Sequence, residues 1–145
     1  MKNSPPLGSE FSQFDPAAFV ADRELIHALD ACSTPVPCKS ERVLFRQDEP
    51  SVGVFIVHKG AVTLSMMSQD GHSLLAAQAR PNSLLGLPGV IGNQPYSISA
   101  NAGVGAKVSF VSSGDLNALM QADPALSTKI LEVLAAEVRS MRKAF

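Results

Sequence analysis

The sequence has no tryptophan, one tyrosine and two cysteines in 145 residues, and its 12 basic residues are balanced by 13 acidic ones. The formal net charge of -1 excludes the basic footprint that nucleic-acid binding usually demands. Arg139, Arg142 and Lys143 form a small cationic group near the C-terminus, as the dipole of a terminal helix favours. No segment approaches the roughly 18 consecutive apolar residues that cross a bilayer, and 1–14 lacks the apolar run of a signal peptide. A cytoplasmic protein with no membrane partner is therefore expected. Cys32 and Cys38 flank a Pro-Val-Pro turn at a spacing that suits neither a redox pair nor a zinc knuckle, so two free thiols are expected. The three histidines, His27, His58 and His72, contain no His-x-His pair, which argues against a metal centre. Neither a Gly-x-Ser-x-Gly elbow nor a phosphate loop occurs. The expectation is a protein that is not an enzyme and holds no metal.

What is present is apolar residues, 46% of the chain, with 17% charged. That composition and length fit one domain with a real core. Pro5, Pro6 and Gly8 mark 1–14 as a loose arm. Asp15-Pro16 reads as a helix start, and Phe19, Leu25, Ile26 and Leu29 give one short amphipathic helix that Pro35 and Pro37 terminate. Short β-branched and aromatic segments then follow at 43–45, 52–57, 61–67, 73–79, 97–100 and 107–111, with Asp70-Gly71 as a hairpin turn. Strands at this spacing predict a roll, sandwich or barrel over about 42–112. Two helices are expected over 113–145, the second opened by Asp123-Pro124. The last helix carries two apolar stripes. Leu126, Ile130 and Val133 form one; Leu131, Leu134, Val138, Met141 and Phe145 form the other. Two faces need two surfaces: one is assigned to the roll, and the other either to a partner helix from a second copy or to core packing inside the same subunit.

This order of elements resembles the cyclic nucleotide-binding domain, in particular the sensory half of catabolite-activator and Fnr-type (Crp/Fnr) transcription regulators. Leu44-Phe45-Arg46-Gln47-Asp48-Glu49 resembles the family's entry strand and turn. Val54 to Val62 resembles its central strand pair around Gly60. Residues 86–100, beginning Gly86-Leu87-Pro88-Gly89, have the length and rhythm of its phosphate-binding cassette, and 115–126 matches the hinge between its C-terminal helices. The resemblance implies a mainly β, double-stranded β-helix (jelly-roll) fold with flanking helices and a C-terminal dimerisation helix.

It also implies a ligand site at Leu85, Gly86, Leu87, Pro88, Gly89, Tyr96 and Ser97. In the family an Arg forks onto the cyclic phosphate and a Glu accepts from the ribose hydroxyl. Leu87 stands in the place of that Glu and Tyr96 in the place of that Arg. A buried phosphate without a cation is costly, so cyclic AMP and cyclic GMP are not expected to bind in the usual way, and no cofactor is assigned. The function implied is a regulatory domain acting through homodimerisation, by Leu131, Leu134, Val138 and Met141, or through another small-molecule effector. Transcription regulators of this type carry a helix-turn-helix after the long helix; the residues given hold none, so direct DNA contact by them is not expected. Two alternatives stay open: a true cyclic nucleotide receptor with an atypical site, and a metal-independent cupin-like binding protein.

Overall fold

The computed structural model describes residues 15–143. The expected 1–14 arm lies outside them, as does Phe145. The single N-terminal helix expected from the sequence is two pieces. The Asp15 side chain accepts from the Ala17 N–H at 2.9 Å, starting a 3₁₀ turn over Pro16–Phe19. Val20 is extended and bridges to Ser83. Asp22 then caps α1 (Arg23–Asp30), accepting from the Leu25 N–H at 2.8 Å. Two aspartates therefore supply two separate starts where periodicity alone reads one continuous helix.

Eight strands follow, β1 (Thr34–Val36), β2 (Arg42–Phe45), β3 (Gly53–Lys59), β4 (Val62–Met67), β5 (Ser73–Gln78), β6 (Ser83–Leu85), β7 (Ser99–Ala102) and β8 (Lys107–Ser112). They form two four-stranded antiparallel sheets, ordered β1-β8-β3-β6 and β2-β7-β4-β5. β1 and β6 went unrecognised in the sequence. Pro35 lies within β1, which is tolerated because β1 is an edge strand paired only with β8.

β3 decides how the layers stack, because it is buried on both sides. Phe55 and Val57 point between the sheets, into a core shared with Phe45, Leu64, Leu85, Tyr96 and Val108. Val54 and Ile56 point the other way, joining Leu25, Leu84, Leu87, Val111 and Leu116 under the helices. Period-two alternation on a strand covered on both faces yields an unbroken apolar run. Register confirms the stacking: Phe55 sits opposite Phe110 on one neighbour and Leu85 on the other.

The expected C-terminal helices are α3 (Ser113–Ala122) and α4 (Pro124–Lys143), α2 being the short Leu87–Gly92 helix of the cassette. Ser112 caps α3 through the Asp115 N–H at 3.1 Å. Asp123 accepts from the Ala125 and Leu126 N–H groups at 3.1 and 3.3 Å, fixing the hinge. Leu126, Ile130 and Val133 are buried beneath α4. On the other stripe Leu131 and Val138 are exposed, while Leu134 is half-buried against its own core. Leu134 is therefore divided between the subunit interior and any partner, and the side chain of Met141 lies outside those described.

Candidate functional site: the cassette cleft

The chain leaves β6 through Gly86 at φ 99°, turns into α2, and reverses at Asn93, φ 53°. A Cβ on Gly86 would stand 3.1 Å from the Tyr96 ring and 3.2 Å from the Gly53 carbonyl oxygen. Gly89 is equally constrained: a Cβ there would meet the Gln94 carbonyl oxygen and Ser51 Oγ, each at 2.9 Å. Both glycines let backbone pass where a side chain cannot. The Gln94 N–H donates to the Gly89 carbonyl at 2.8 Å and the Ser51 hydroxyl donates to the Gln94 carbonyl. Tyr96 and the 48–49 turn exchange backbone bonds of 3.0 and 2.8 Å. The cassette is thus stitched to the β2–β3 turn.

Tyr96 is the centre of this stitching. Its hydroxyl donates to the Gly53 carbonyl at 2.7 Å and accepts from the Val52 and Gly53 N–H groups at 3.1 and 3.3 Å. A phenol has one proton to donate, and here it is committed to the protein. The ring stacks on Phe45 with centroids 4.3 Å apart, and Phe45 stacks on Phe55 at 5.4 Å. The aromatic column fills the end of the roll.

The cleft that remains is about 10 Å³, room for roughly one water molecule; small-molecule sites usually measure about 300–1,000 Å³. Gly86, Pro88, Gly89, Tyr96 and Ser97 line it from the cassette side, faced by Phe19, Phe45, Ile98 and Glu137. Leu85 and Leu87, named with them from the sequence, do not. Leu85 is fully buried between the sheets, and Leu87 turns outward into the core beneath the helices. Leu87, the first residue of α2, shares that core with Leu25 of α1, Ile130 of α4 and the outer face of β3 at Val54 and Ile56.

Glu137 was not anticipated. It is 1% exposed, and neither carboxylate oxygen has a hydrogen-bond partner. Burial pushes its carboxyl well above the ordinary value of 4.5. Its signal in the sequence is spacing: Leu126, Ile130, Val133, Glu137 and Ser140 step by four and three along one face of α4, and all are buried. An acid on an otherwise buried stripe is the anomaly that could have found it.

A second polar cluster ties α1 to the sheet. His58 Nε2 lies 2.9 Å from Ser109 Oγ and 3.3 Å from Asp30 Oδ1. The Ser33 hydroxyl, and then His58 and Ser109, hold the Asp30 carboxyl below its usual value. His58 is therefore a half-buried anchor between α1 and the sheet. Both partners meet the same ring nitrogen, so the group lacks the relay geometry of a hydrolase triad.

Residues 35–123 match the model of the cyclic nucleotide-binding domain. The chain belongs to that family. Within the family it is 28% identical over 103 residues to the transcriptional activator protein Anr of Pseudomonas aeruginosa, covering 71% of this chain and 42% of Anr. The fold is that of the catabolite activator protein of Thermus thermophilus, with a TM-score of 0.72 at 19% identity over 88% of this chain and 60% of that one. It is also that of the N-terminal domain of a transcriptional regulator from Streptomyces coelicolor, with a TM-score of 0.63 at 24% identity and 92% coverage of both chains. The chain thus spans less than half of its curated relative. Among the described residues, no helix is long and apolar enough to cross a membrane.

Proposed function

We propose that this chain is the sensory, regulatory part of a Crp/Fnr-type regulator whose cassette no longer receives a cyclic nucleotide phosphate, and which acts in the cytoplasm as a homodimer through α4. One observation carries the reading. At the position where the resemblance places a phosphate-binding Arg, the Tyr96 hydroxyl is spent on Val52 and Gly53. No cation lines the cleft among the described residues, so a phosphate drawn into it would be buried without compensation. The similarity to Anr supports transcription regulation as the process served. The residues given would contribute sensing and dimerisation, with any contact to DNA made by other parts of the regulator.

Membership of the family favours a second reading, a cyclic nucleotide receptor whose cleft opens for its ligand. Thermal unfolding with and without cyclic AMP and cyclic GMP separates the two. A ligand at a hundred times its Kd stabilises by about 2.7 kcal/mol, on the order of 5–10 °C for a chain of this length. No shift with either nucleotide is expected. A shift of that size would replace the first reading with the second.

A further inference from the structure

The cleft differs from an anion receptor in more than the absence of a cation, because a buried acid lines it. Glu137 reaches it from α4, with both oxygens unpartnered and the side chain closed to solvent. Buried polar groups in folded proteins are almost always hydrogen-bonded, and an orphan calls for a missing donor. Among the described wall residues none bonds to it, although the Ser97 hydroxyl also lines the cleft. The Tyr96 proton is committed to Gly53, Phe19, Phe45 and Ile98 are apolar, and Pro88 has no N–H.

The open space is the size of one water. A water there would serve only the protonated carboxyl, since it cannot compensate a charge. An ammonium group occupies nearly the same volume, brings several donors, and carries the opposite charge. We propose that the cassette cleft is a receptor for a primary ammonium group, either the free ammonium ion or the head of a small amine, with the Glu137 carboxylate as its counter-ion. The proposal rests on the reading of the cassette as a site that no longer receives phosphate, and reverses the charge of the effector it takes.

Binding is balanced in atoms and charge. The Glu137 carboxyl gives its proton to solvent, the ammonium ion keeps all of its own, and a neutral carboxylate–ammonium pair remains. Uptake should therefore release close to one proton for each ammonium group bound, below the pH at which the free acid ionises.

The test compares ammonium, methylammonium, tetramethylammonium and sodium chlorides at equal ionic strength, reading the unfolding midpoint and the protons released. Ammonium is expected to raise the midpoint over sodium and to release protons. Tetramethylammonium, which has no N–H, should do neither. A response to methylammonium as well would identify an amine head group, and a response to ammonium alone the free ion. Glu137→Gln should weaken the response by about tenfold or more, since it removes a charge-assisted contact. Equal midpoints in the four salts would overturn the proposal, as would an undiminished response in Glu137→Gln. If that variant does not fold, absence of proton release from the unsubstituted protein is sufficient to overturn it. A parallel arm with cyclic AMP keeps two failures apart. Silence in both arms removes the ammonium site alone, whereas a cyclic AMP shift removes the reading beneath it.

Discussion

Tyr96 and Glu137 reach the same cleft from opposite sides and differ in how each satisfies its polar atoms. Tyr96 makes three hydrogen bonds to backbone; Glu137 makes none, and burial raises its carboxyl well above 4.5. The consequence for stability has a definite sign. The carboxyl titrates higher in the folded chain than in the unfolded one, so below about pH 4.5 it contributes no penalty. As pH rises above that, the unfolded chain ionises while the fold must stay protonated, and stability falls until the folded pKa is passed. The steepest loss one group can impose is about 1.4 kcal/mol per pH unit. In ammonium-free buffer, Glu137→Gln should therefore match the parent near pH 4 and exceed it in stability increasingly toward neutral pH. Urea titrations at several pH values check this; parallel stability curves for the two proteins would mean that Glu137 carries its charge in the fold.

Elements are fixed here by caps as much as by packing, and Asp22 shows how far one residue reaches. Its Oδ1 caps α1 at the Leu25 N–H, while Oδ2 accepts from Lys129 on α4. The Lys129 ammonium, and then the Leu25 N–H, hold its carboxyl below the usual 3.8. That contribution is complete above this value and is lost as pH falls through the lower folded one. Both side chains of the ion pair remain about a third or more exposed, so the pair itself adds little and the cap dominates. Asp22→Ala should cost about 1 kcal/mol, read as a lower urea midpoint with unchanged slope; a loss near zero would mean that solvent replaces the cap. The elements most legible in the sequence were those with a local signature: the Asp70-Gly71 hairpin, the β3 run and the Asp123-Pro124 hinge. β1 was hidden because its proline is acceptable only at an edge, and edges are set by the whole sheet. The break at Val20 was hidden because a bridge to Ser83 is a contact 63 residues away in sequence. The cleft was legible by half. Gly86, Pro88, Gly89, Tyr96 and Ser97 follow one another in one segment, whereas Phe19, Phe45 and Glu137 are brought there by tertiary packing.

At the scale of the whole molecule, α4 is the element that connects the cleft to any partner. Glu137 and Val138 are neighbours in sequence, about 100° apart around the helix, and only the first is buried. A shift of α4 that reseats Glu137 would also move the stripe that bears Val138. That stripe leaves Leu131 and Val138 48% and 46% exposed, seven residues apart, the spacing of a heptad seam. Full burial of such side chains is worth about 1.5–3 kcal/mol each, and these two are already half covered. Four of them across a two-fold axis would contribute on the order of 4 kcal/mol, about half of the roughly 8 kcal/mol of a micromolar dimer, so other contacts must supply the rest. A concentration-dependent dimer is expected, one that a modest reseating of α4 can strengthen or dissolve. Glutamate at both Leu131 and Val138 should shift the mass seen by light scattering to that of the monomer, with the circular dichroism of the roll unchanged. Leu134 is the wrong residue for this test, because it also packs on its own core and its loss would confound folding with association. A mass unaffected by the paired substitution would move the interface off this stripe. A parent that stays monomeric at every concentration would leave α4 with no partner to signal to, and the regulatory output would have to pass through another surface.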